Sequence, residues 1–191
     1  MREPSQASAA YLEVIRRELP EYDRLQDEVV HATDGLAVAR ILDLGTGTGE
    51  TSRRLLLAHP EASVIAIDPD AELLQIARDQ LGDHADFRLG DLYEPLPHGP
   101  FDLIVSALSV HTMRPIDRSQ FFSRAHRALR SGGRLVIGDA VTPGIELPGS
   151  PPLQDRAPDR LETLVERISQ AGFTPKTTWS GADLAVVVGQ K

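Results

Sequence analysis

Between residues 38 and 138, apolar runs of strand length alternate strictly with stretches of helical spacing, and this alternation constrains the fold more than any other feature of the chain. Residues 38–44, 63–67, 87–89, 103–107 and 134–138 read as strands. Residues 51–58, 71–81 and 119–129 lie between them with apolar side chains at helical intervals, as in Leu73, Leu74, Ala77 and Leu81. Such a pattern builds βαβ units, hence a mainly parallel sheet with helices on both faces. The end of the chain differs: the strand-like runs 173–179 and 184–188 are joined by a link too short for a crossover helix. They predict an antiparallel hairpin added to the sheet edge.

In a sheet of this kind ligands bind outside the carboxyl ends of the strands, so the last residues of each strand carry the functional expectation. The first strand runs into ILDLGTGTGE, where Gly45, Gly47 and Gly49 allow close approach of backbone to a ligand. The second ends in VIAIDPD, placing Asp68 about 20 residues past the glycines, where an acid accepts from ribose hydroxyls. Asp91 follows the third strand, SALSVHTM with His111 follows the fourth, and Asp139 follows the fifth. A dinucleotide fingerprint has its third glycine where this chain has Glu50, and a carboxylate at that helix start repels a pyrophosphate. The pattern therefore suits a nucleoside ligand without phosphates, and disfavours an NAD-dependent oxidoreductase. With Asp43, Asp68 and Asp91 beside it, the glycine loop is a strong signal.

Composition narrows the partners. The 191 residues, 41% hydrophobic and 25% charged, suit one soluble domain. Zero cysteines exclude disulfides, thiolate nucleophiles and sulfur-ligated metal, and no metal site is expected. A net charge of −8 argues against nucleic acid, with Arg53 and Arg54 read as a solvated helix face. No run is apolar enough to span a bilayer and the first residues lack a signal-peptide core, so a cytoplasmic location is expected. Residues 1–36, broken at Pro20, read as a two-helix cap; 37–140 as the core; the Pro- and Gly-rich 141–158 as a loop; and 159–191 as a last helix and the terminal hairpin.

From ILDLGTGTGE through VIAIDPD, FRLGDLYEPLP, FDLIVSALSVHTM and LRSGGRLVIGDA to the final AGFTPKTTWSGADLAVVVGQK, the chain resembles the class I S-adenosylmethionine-dependent methyltransferases. The resemblance implies a Rossmann-like, seven-stranded, mostly parallel sheet whose C-terminal hairpin reverses one strand. It also implies S-adenosylmethionine as cofactor, S-adenosylhomocysteine as product and a small-molecule acceptor. By the same likeness the backbone of Gly45, Thr46 and Gly47 underlies the methionine part, Asp68 and the adjoining Pro69 meet the ribose, Asp91 and Leu92 flank the adenine, and Ala107 faces the cofactor. LPEYDRLQ resembles a segment of carboxy-S-adenosylmethionine synthase, and carries over a cofactor contact to Tyr22.

Two features depart from the family. Small relatives often have consecutive histidines where this chain has His111 followed by Thr112, and the helical acceptor-binding insertion after the fifth strand is here the Pro-rich loop. The acceptor site is then open, or completed by a partner chain, and an edge hairpin suits a homodimer. Transfer to a hydroxyl or protonated amine needs a base, for which His111 has the right intrinsic pKa; Asp139 is the second candidate, as base or as a partner orienting the acceptor. The absence of an Asn-Pro-Pro-Tyr motif argues against exocyclic amino groups of nucleobases. A cofactor-binding sensor or scaffold without transfer activity, and a carboxy-S-adenosylmethionine synthase-like enzyme, are the alternatives. Trp179 is read as edge-strand packing.

Overall fold

A computed structural model describes residues 6–141 and 157–191, so most of the loop expected at 141–158 lies outside the described residues. The chain starts with two helices, α1 (Gln6–Glu18) and α2 (Tyr22–His31), interrupted at Pro20. There follow β1 (Arg40–Leu44), α3 (Glu50–Ala58), β2 (Ser63–Asp68), α4 (Ala71–Leu81), β3 (Ala85–Leu89) and β4 (Phe101–Ala107). The second half holds α5 (Pro115–Ala128), β5 (Leu129–Ala140), α6 (Leu161–Gln170), β6 (Thr174–Ser180) and β7 (Leu184–Gln190).

The seven strands form one sheet in the order β3-β2-β1-β4-β5-β7-β6. β1 to β5 pair in parallel, and β7 is antiparallel to both β5 and β6. The hairpin does extend the sheet beyond β5, but its second strand takes the inner place. Burial explains this: Leu184–Val188 is an unbroken apolar run that satisfies a strand covered on both faces, whereas Thr174–Ser180 carries polar side chains suited to an edge.

Successive residues of the central strands feed opposite faces. Ile41, Leu103, Val105 and Val136 join α1, α2 and α3 in one core cluster, while Leu42, Ile104, Leu135 and Ile137 join α5 and α6 in another. Element ends follow from local chemistry. The Asp70 carboxylate caps α4 by accepting from the amides of Glu72 and Leu73 at 2.8 and 3.1 Å, which leaves Asp68 out of the helix cap. β1 starts at Arg40, not Val38, because the amides of Ala39 and Arg40 donate to the Asp102 carboxylate at 2.9 and 2.8 Å instead of extending the ladder. β5 is longer than its apolar stretch: its Gly-rich start pairs through the backbone, across a register shift opposite Phe101 and Leu103. α5 begins four residues before the apolar periodicity, at Pro115, whose fixed φ suits a first helical position.

Candidate functional site

The carboxyl ends of β1, β2 and β4, with α1 and α2 across the opening, enclose a cavity of about 370 Å³. Its floor is the glycine loop, with Gly45 at φ +74°, Gly47 at +54° and Gly49 at +87°, left-handed values that side chains rarely adopt. A Cβ on Gly45 would lie 2.1 Å from the Ser109 Oγ, so the loop and the turn after β4 touch only because that side chain is missing. At Gly47 a Cβ would meet nothing within 4 Å; bare backbone there faces open space, as a close ligand requires.

Asp68, at the end of β2, is 6% exposed. Its Oδ2 accepts from the Gly47 amide at 2.8 Å and its Oδ1 from the Asp70 amide at 2.9 Å. Each oxygen keeps a lone pair for a further donor. Burial raises its pKa above the ordinary value, against the lowering effect of those two amides. Beneath the loop, Asp43 is fully buried and its Oδ2 accepts from the hydroxyls of Thr46 and Ser52 at 2.8 and 2.5 Å.

Tyr22, Gly45, Thr46, Gly47, Asp68, Pro69, Asp91, Leu92 and Ala107 all line this cavity. Asp91 also closes its own turn by accepting from the Tyr93 amide at 3.2 Å. Burial, then the nearby Glu50 carboxylate, pushes the Tyr22 hydroxyl far above its usual pKa and keeps it a neutral donor. His111 and Asp139 are not part of the lining. They form a buried pair at its back: the Asp139 Oδ1 lies 2.5 Å from the His111 Nδ1, and its Oδ2 accepts from the His111 amide at 3.0 Å. The opposite ring nitrogen, Nε2, is buried without a hydrogen-bond partner among the described residues.

Among the lining residues that sequence reasoning misses are Tyr11, Gln26, Thr51, Leu108, Ser109 and Thr112. The first three depend on how α1 and α2 dock: Gln26 of α2 accepts from the Thr51 hydroxyl of α3 at 2.9 Å, a contact between segments 25 residues apart. Leu108, at φ +56°, carries no sequence signal for a left-handed turn. Two readings need correction. Arg53 and Arg54 are not a solvated face but clasp the Glu50 carboxylate at 2.8 and 2.7 Å, and Arg54 also reaches Asp23 and Asp27 of α2. Glu50 stays ionised but its charge is compensated by the two guanidinium groups, so it repels a pyrophosphate less than the sequence implies.

An open, mainly parallel sheet with a cavity at the carboxyl ends, a glycine loop and an acid after the second strand is the architecture of α/β proteins that bind nucleosides, and β7 sets this chain apart from the fully parallel members of that class. Residues 41–133 match the family model described as a methyltransferase domain. An uncharacterized methyltransferase of Anoxybacillus flavithermus is 30% identical over 121 residues, covering 63% of this chain and 54% of that protein. The chain spans about half the length of such curated relatives. A solved S-adenosylmethionine-dependent methyltransferase from Mesorhizobium loti superposes with a TM-score of 0.69 at 20% identity, covering 90% of this chain and 97% of that one. PigF, solved with S-adenosylhomocysteine, gives a TM-score of 0.69 at 21% identity over 85% of this chain and 53% of its own. Over residues 41–133 the chain is similar to a methyltransferase domain, and its fold is that of solved S-adenosylmethionine-dependent methyltransferases. No described helix is long and apolar enough to cross a membrane.

Proposed function

We propose that this chain transfers the methyl group of S-adenosylmethionine to an oxygen or nitrogen atom of a small-molecule acceptor in the cytoplasm, leaving S-adenosylhomocysteine. The observation that carries the reading is Asp68: a buried carboxylate at the rim of a cavity of about 370 Å³, with each oxygen steadied by one backbone amide and open to one more donor. That is the demand of a ribose diol. The bare backbone at Gly47 fits a cofactor laid directly on the loop, and Leu92 offers an apolar surface to a base. Tyr22 closes the side formed by α2.

The cofactor supplies a methyl group already activated on a sulfonium, so the protein's task is to align an acceptor behind it and exclude water. The His111–Asp139 pair supplies the base. With the Asp139 carboxylate accepting from the Nδ1–H, the lone pair of His111 is held on Nε2, free of any other described partner and able to take the acceptor's proton. Thr112, next in sequence, lines the cavity, so the pair stands directly behind its wall. One observation favours the alternative of a cofactor-binding sensor: neither His111 nor Asp139 lines the cavity in this conformation.

Calorimetric titration with S-adenosylmethionine and S-adenosylhomocysteine tests the reading. Binding of both, weakened on the order of 100-fold in Asp68→Ala through loss of two hydrogen bonds to a charged acceptor, is expected. Absence of binding to either would overturn it. Turnover with an acceptor panel then separates enzyme from sensor, with His111→Ala and Asp139→Asn each expected to reduce kcat by 10²-fold or more if the pair is the base.

A further inference from the structure

On the far side of the loop that carries Leu92, a second cavity of about 290 Å³ is bounded by Pro95, Leu96, Pro97, His98 and Gly99 and by Arg124, Arg127 and Ala128. Its lining holds two guanidinium groups and an imidazole but no carboxylate, in a chain with a net charge of −8. Arg124 and Arg127 stand one turn apart on α5 and point to the same side. Neither makes an ion pair among the described residues, whereas Arg114, Arg118 and Arg167 nearby all do. Asp117, the acid whose field reaches Arg124, is engaged by Arg114 at 2.7 Å. The Arg124 Nε is buried and lacks any hydrogen-bond partner among the described residues. Burial and then the charge of Arg127 lower the pKa of Arg124, the signature of a cation held without a counter-ion.

A buried donor with no acceptor costs free energy, and two like charges on adjacent turns repel. An anion between them removes the repulsion, and a tetrahedral oxyanion suits donors arriving from two guanidinium forks. We propose that this cavity binds a phosphate group, free or as the end of a small phosphate monoester, on Arg124 and Arg127 with His98 at its edge. The site bears on the cofactor cavity through one bond: the Arg124 Nη2 donates to the backbone carbonyl of Leu92, which lines the cavity on its other side. A phosphate that fixes the Arg124 guanidinium also firms that wall, so occupancy of one site raises affinity at the other.

Inorganic phosphate and, in a second arm, glycerol phosphate are titrated into the full chain without cofactor at constant ionic strength. Saturable binding that weakens about tenfold or more in Arg127→Gln, an exposed position outside the cofactor cavity, is the expected result. Equal affinity for the two ligands identifies free phosphate as the occupant, and tighter glycerol phosphate identifies a monoester; both sustain the site. No saturable binding, or binding unchanged in Arg127→Gln, overturns it. S-adenosylhomocysteine is then titrated with and without saturating phosphate. An affinity gain of about threefold, absent in Arg127→Gln, is expected, and an unchanged affinity overturns the coupling. The first titration uses no cofactor, so its failure is distinct from a failure of the methyltransferase reading.

Discussion

At the scale of single residues, the least comfortable group in the molecule is Asp43. Burial, opposed by the Ser52 and Thr46 hydroxyls, raises its pKa from 3.8 to about 6, and its Oδ1 has no hydrogen-bond partner among the described residues. The native state therefore keeps this proton between those values while the unfolded chain loses it, and this group's contribution to stability falls as pH rises through that window. Above it the cost is on the order of 3 kcal/mol. Asp43→Asn keeps an acceptor for both hydroxyls, so its stability relative to the parent is expected to improve from pH 4 to pH 7 in urea denaturation. A difference independent of pH would refute the ionisation account. Arg118 makes the opposite case, a buried charge fully engaged. At 1% exposure it donates to the carbonyls of His111, Met113 and Ala157 and pairs with Asp159 at 3.0 Å. The longer fork of arginine spans these partners and an ammonium does not, so Arg118→Lys is expected to cost about 3 kcal/mol, read from the same denaturation midpoint.

At the scale of elements, α2 decides the shape of the cavity at the carboxyl ends of the strands, and two contacts hold it. Arg54 links Glu50 on α3 to Asp23 and Asp27 on α2; because both aspartates are about half exposed, Arg54→Met is expected to cost only about 1 kcal/mol, and less at high salt. Packing carries more. A Cβ on Gly138 of β5 would lie 2.5 Å from the Val29 Cγ2 and 3.3 Å from the Leu25 Cδ1, so α2 rests directly on bare strand backbone. Gly138→Ala should cost about 1–3 kcal/mol and weaken S-adenosylhomocysteine binding, and Val29→Ala in the same chain should restore part of both in a double-mutant cycle. These contacts mark the limit of legibility from sequence. Apolar periodicity and turn residues predict α4 to the residue and β4 to its end, because such signals are local. The start of β1 depends on Asp102, about 60 residues away, and the path of β5 through Ser131, Gly132 and Gly133 depends on backbone pairing that side-chain patterns do not encode.

At the scale of the whole molecule, one sheet divides two core clusters, and its strands supply both with alternate residues, so neither can melt alone. Fluorescence of Trp179, the only tryptophan and a residue of the edge strand β6, should therefore report the same denaturation transition as far-UV circular dichroism, and separate midpoints would show that the hairpin is an independent unit. S-adenosylhomocysteine at 100 times its Kd should move both by about 2.7 kcal/mol. The sequence by itself determined the class of fold, the reversed hairpin and most of the strand-end residues that line the cavity, because strand and helix periods, glycine conformations and strand ends are written within a few residues of one another. Only the tertiary structure decided that β7 lies inside β6, that Arg54 stitches α3 to α2, that His111 is turned onto Asp139 behind the cavity, and that Arg124 joins the Leu92 carbonyl to an acid-free cavity. Each of these is settled by burial and charge compensation between segments distant in sequence, and no local pattern specifies which distant partner a side chain will meet.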